Sequence, residues 1–157
     1  MPRLLPFAVL LAGASMFLSA AAQAPAGATP APAASAALAR TPAPPGAKAR
    51  IISPANGATV KSPVLVVFGL SGMGIAPAGT KAENTGHHHL LIDTDMPKDT
   101  GLPLPANDHI RHFGKGQTEA SIELPPGKHT LQLVLGDYEH VPFDPVIASK
   151  KITITVK

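Results

Sequence analysis

From residue 50 to Lys157 the apolar residues fall in short alternating or β-branched runs, and no stretch sustains a 3.6-residue period. That property excludes a helical bundle and calls for strands. Val64-Leu65-Val66-Val67-Phe68-Gly69-Leu70 is β-branched and aromatic and predicts a central strand, with Pro63 at its start. Arg50-Ile51-Ile52-Ser53 predicts a first short strand, ended by the turn residues Pro54-Ala55-Asn56-Gly57. Further strands are expected at His87 to Ile92, Ala120 to Leu124, His129 to Leu135 and Lys151 to Val156. Leu131, Leu133 and Leu135 share one face of theirs. Short strands joined by Pro and Gly turns predict an all-β domain. An immunoglobulin- or fibronectin-like β-sandwich of about seven strands is the first expectation, and a small barrel the second. Two long loops remain, Ser71 to Thr85 and Thr94 to Gly116, and long loops in compact domains are commonly functional.

The N-terminus is of different material. Arg3, the short apolar run Leu4 to Leu18 and the small residues Ser19 to Ala24 predict a signal peptide over residues 1–22, with cleavage after Ala22 or Ala24. The apolar run is short for a membrane span, so no transmembrane anchor is expected after processing. Ala, Pro, Gly, Thr and Ser dominate residues 23–49. Such a stretch buries too little apolar surface to offset its ordering entropy, which predicts a disordered linker. The β-domain is then expected over residues 50–157, in a periplasmic or secreted product.

The sequence has no cysteine, so an exported domain of this size relies on packing or on a metal. Its net charge of +3 is misleading for the domain. From Ile51 onward there are 9 Lys and Arg against 10 Asp and Glu, a formal charge of −1. The excess cations are Arg3, Arg40, Lys48 and Arg50. No clustered basic face marks a nucleic-acid partner.

All seven histidines lie between His87 and His140. Neutral imidazole is the commonest protein metal ligand. In Gly86-His87-His88-His89-Leu90-Leu91-Ile92-Asp93, strand alternation puts His87 and His89 on one face and His88 on the other. If Leu90 and Ile92 point inward, His88 is a core residue, and His87 and His89 are free to share an ion. His109 and His112 follow in a loop. His112 is the better candidate, because Phe113 is expected to anchor that part of the chain. His140 follows the strong strand ending at Leu135 and is expected at the same end of the sandwich as His87. Glu139, Asp144 and Tyr138 are candidates to orient imidazoles. Met73, in a Gly-rich loop, offers a soft thioether suited to Cu(I), although core filling is the commoner role of methionine. His129, at a strand start after a Pro-Pro-Gly-Lys turn, is expected to be structural.

There is no H-E-x-x-H, no nucleophile elbow, no P-loop and no thiol nucleophile. His-x-His on a sandwich strand invites comparison with copper-zinc superoxide dismutase, but the rest of that pattern is missing. The domain resembles a family of small exported bacterial proteins that is catalogued only as a domain of unknown function. The resemblance rests on Gly72-Met73-Gly74, on Gly86 to Asp93, on His112-Phe113-Gly114-Lys115-Gly116-Gln117-Thr118-Glu119, and on Leu124 to Leu133 leading to Gly136-Asp137 and His140. It implies an exported β-sandwich and no known activity. The family pattern often carries a histidine three residues after His140, where this chain has Phe143.

The expectation is a non-enzymatic module that binds copper first and zinc second through His87, His89, His112 and His140, with Met73 as an axial or Cu(I) contact. The runner-up is a metal-free module with structural histidines, bound to a cell-envelope protein partner. A copper-redox enzyme is third. Ring nitrogens of three histidines within roughly 4 Å of one another favour a metal, whose Zn–N bonds are about 2.0–2.1 Å. Imidazoles paired to backbone carbonyls favour the structural role.

Overall fold

A computed structural model describes residues 40–157. The expected signal peptide, and the linker up to residue 39, lie outside the described residues. Those described form nine strands and no helix: β1 (Lys48–Ser53), β2 (Thr59–Val60), β3 (Val64–Ser71), β4 (Gly74–Ile75), β5 (Thr85–Ile92), β6 (Ile110–Phe113), β7 (Glu119–Ile122), β8 (Gly127–Gly136) and β9 (Ile152–Val156). They make two sheets. One has the order β1-β3-β7; the other runs β2-β9-β8-β5-β4, with β6 also paired to β5.

The core lies between the sheets. Val64, Val66 and Phe68 of β3 and Ile122 of β7 meet Leu90 and Ile92 of β5, Leu131, Leu133 and Leu135 of β8, and Ile154 and Val156 of β9. The alternation in β8 therefore works as expected. The outer face of the larger sheet is also covered, because Leu91 and Val134 there pack with Leu104 and Ile110. That double cover explains why β5 is apolar on both faces and buried from Gly86 to Ile92.

Two expectations about extent are adjusted. The segment read as a loop from Thr94 to Gly116 contains β6, whose His88↔Phe113 to Leu91↔Ile110 register completes the second edge of β5. Four residues are too few to display a period, and the backbone groups of β5 supply the pairing. Residues 40–49, assigned to the linker by composition, are partly built into the fold. Strand β1 starts at Lys48, and Pro42 bridges Asp144. Backbone pairing there needs no apolar side chains, so composition does not reveal it.

No helix among the described residues is long and apolar enough to cross a membrane.

Candidate metal centre

Strand β5 divides its histidines between two environments. His88 lies on the face of Leu90 and Ile92, with its ring 5.1 Å from that of Phe68 in the inter-sheet core. His87 and His89 point the other way. The antiparallel register aligns His89 with His112 of β6 and His87 with Gly136 of β8. Directly paired residues share a face, so His112 joins His87 and His89. Phe113, 4.8 Å from Phe68, anchors the end of β6 in the core.

His140 arrives from the turn after β8. Asp137 builds that turn: its Oδ1 accepts the N–H groups of Glu139 at 2.9 Å and Val141 at 3.0 Å, and its carbonyl accepts the His140 N–H at 3.0 Å. His140 itself has φ +70, a left-handed conformation that costs a non-glycine residue about 1 kcal/mol. The backbone then bridges back from Gly136 to Pro142. The turn thus folds over the outer face and brings in a fourth imidazole.

Donor nitrogens of His87, His89 and His112 all lie within 4.8 Å of one another. The His140 ring centroid is 4.7 Å from that of His112, 4.9 Å from His87 and 6.0 Å from His89. A tetrahedral ion with bonds of about 2.0–2.1 Å needs donors roughly 3.4 Å apart, so the rings must draw in to close on one. His87 and His89 are fully buried, while His112 and His140 are partly exposed at the rim. Both ring nitrogens of His87 and of His89, and Nε2 of His112, are buried with no hydrogen-bond partner in the protein. Such groups are rare in a folded chain and are costly. A histidine cluster of this kind could hold a metal ion.

The electrostatics keep these rings in the ligating form. Burial, then the neighbouring histidines, lower the pKa of His87 to about 4, although Asp137 acts in the opposite direction. Burial and the same neighbours lower His89 to about 2. Burial and His140 also lower His112. All three are neutral at neutral pH, as a metal requires.

Two glycines make room for the rings. A Cβ at Gly114 would lie 2.3 Å from Cε1 and 2.4 Å from Nε2 of His112. At Gly136 it would lie 2.8 Å from Cε1 of His89 and 3.2 Å from the His140 Cα. Neither glycine carries a local sequence signal of this role beyond its place next to a histidine segment. The other residues expected near the site fare differently. Asp144 pairs with Arg40 at 3.1 Å, and the Tyr138 ring lies 5.3 Å from the Lys81 ammonium. The orienting work falls to Asp137, which the sequence did not single out. Met73 packs against the inter-sheet core, whereas His87 and His89 occupy the opposite face of the sheet. Phe143 is buried in the inter-sheet core.

Of the histidines outside the cluster, His109 and His129 have hydrogen-bond partners and His88 has none. Nδ1 of His109 is 3.0 Å from the Ile92 carbonyl. His129 has Nδ1 at 2.6 Å from Asp93 Oδ2 and Nε2 at 2.9 Å from the Pro125 carbonyl. Two acceptors suit a doubly protonated ring, and the Asp93 bond raises the His129 pKa accordingly.

Comparison with curated proteins finds no match, and comparison with solved structures finds none. A family model described as Domain of unknown function (DUF4399) matches residues 66–157. That segment holds every histidine of the cluster and more than half of the sequence, and the chain belongs to this family.

Proposed function

We propose that this protein is an exported transition-metal binding module, with copper the first ion and zinc the second. His87, His89, His112 and His140 are the ligands. The observation that carries the proposal is the set of buried, unpartnered ring nitrogens of His87, His89 and His112, which two strands, β5 and β6, hold within 4.8 Å of one another. Outside the cluster, His129 and His109 have nitrogens bonded to carboxylate or carbonyl oxygens, and His88, whose nitrogens are also unpartnered, stands by itself against Phe68 on the other face of β5. The cluster contrasts with both arrangements. An all-imidazole donor set suits copper and zinc, and copper(II) generally stands above zinc in affinity. The proposal gives Met73 no ligand role, since its side chain packs on the other side of the sheet.

The experiment is calorimetric titration of tag-free protein with copper(II) and zinc, with metal analysis of the purified protein. One equivalent bound at micromolar concentration or below is expected. Failure of both ions to bind at that concentration would leave the metal-free envelope module as the better account.

A further inference from the structure

We infer that Thr41 is a positioning residue for the metal centre, acting through Asp137 on His140, so that the segment entering the domain closes the site. The inference rests on the metal-binding reading and extends it to a part of the chain that composition assigned to the linker.

The contacts run in one direct sequence. The Thr41 hydroxyl donates to Asp137 Oδ2 at 2.6 Å. The other carboxylate oxygen holds the N–H groups of Glu139 and Val141, the residues on either side of His140. Asp137 is only 2 % exposed, so its carboxylate oxygens need these donors in place of water. The hydroxyl is the one side-chain donor to it from outside the turn among the described hydrogen bonds. Around it, residues 40–43 bind the returning backbone. The Asp144 N–H donates to the Thr41 carbonyl at 2.9 Å, and the Ala43 N–H donates to the Asp144 carbonyl at 2.8 Å. Arg40 pairs with the Asp144 carboxylate at 3.1 Å and donates to the carbonyls of Pro142 and Phe143. His140 has a left-handed backbone and sits at the rim, so its placement depends on this turn being held. The three other histidines are on strands fixed by register.

The test uses the full chain with Thr41→Val, which removes the hydroxyl and keeps the shape, and Thr41→Ser, which restores it. Copper(II) affinity of the valine variant should fall about tenfold, as is usual when a residue supporting a ligand is lost. Its copper(II) spectrum should change in nitrogen coupling, and amide exchange at Glu139 and Val141 should accelerate. The serine variant should return all three towards wild type. Wild-type copper binding with an unchanged valine variant would overturn the inference and leave the metal reading intact. Slow amide exchange in the valine variant would overturn it with no metal present. Absence of copper binding by the wild type would remove the metal reading itself, and the role of Thr41 with it.

Discussion

His87, His88 and His89 are chemically identical and differ only in what surrounds them. The double change His87→Ala, His89→Ala should abolish high-affinity copper and zinc binding while the metal-free protein stays folded. It removes unpartnered polar groups as well as apolar contact, so these two effects on stability oppose each other. Titration and thermal melting of the variant check both parts. His88 behaves differently. Burial lowers its pKa to about 4, and neither ring nitrogen has a partner in the protein. A substitution there leaves no bonded group behind, contrary to what a core histidine ordinarily implies. His88→Leu should therefore keep metal affinity and leave stability unchanged or raise it, by up to roughly 1–3 kcal/mol, the usual cost of an unsatisfied buried polar group. Denaturant unfolding measures it, and a clear loss of stability would show that the ring has a partner after all.

Strands set the geometry in which these residues meet. β5 has β8 on one edge and β4 and β6 on the other, so it carries two ligands and aligns a third. The glycines beside the site belong to this scale, because they are positions where neighbouring elements leave a ring its space. Gly114→Ala should push the end of the His112 ring aside, since nothing else in its path is closer than 3.1 Å. Copper affinity should fall about tenfold or more with little change in melting temperature, and titration beside a thermal melt separates the two. Gly136→Ala places its Cβ against the backbone of His140 as well as the ring of His89, so it should lower both affinity and stability.

At the scale of the whole molecule, the histidines make stability depend on pH in opposite senses. His87, His88 and His89 have folded pKa values below the ordinary 6.5. The unfolded chain therefore binds more protons than the fold as pH drops below 6.5, and stability falls through that window towards pH 4 and below. His129 has a raised pKa, so its contribution is complete below 6.5 and is lost as pH rises through the folded value. Asp93 is raised by burial, but the bonds from His129 and Thr130 outweigh this and hold it low. Its contribution is present above the ordinary 3.8 and fades as pH falls through the lowered value. Net loss of metal-free stability between pH 6.5 and 4 is expected, because the three buried rings lose stability in that window while the contributions of His129 and Asp93 are both complete there. Metal adds to the slope, since only neutral rings bind it. At 100 times the dissociation constant the ion adds about 2.7 kcal/mol, a gain that shrinks as pH falls. Melting curves from pH 4 to 8, with and without zinc, test this. A metal-free melting temperature that stays constant or rises on acidification would contradict it.

The strand class was legible locally because the two-residue period of β8 and the β-branched run of β3 are properties of consecutive residues. So was the split of His88 from His87 and His89, which alternation alone requires. The choice of which face turns inward was not, because Leu90, Leu91 and Ile92 are apolar on both sides and the second cover is made by distant residues such as Leu104 and Ile110. The identity of the nearest orienting carboxylate was also out of reach. Asp137, Glu139 and Asp144 are equivalent along the chain, and only long-range pairing with Thr41 and the turn amides distinguishes the first. The order of residues 40–49 was hidden for the same reason, since backbone hydrogen bonds do not depend on which side chains the segment carries. Periodicity and chemical type are local and can be read along one chain. Register, cover and the meeting of four imidazoles arise between segments far apart in sequence, and the packing of two sheets decides them.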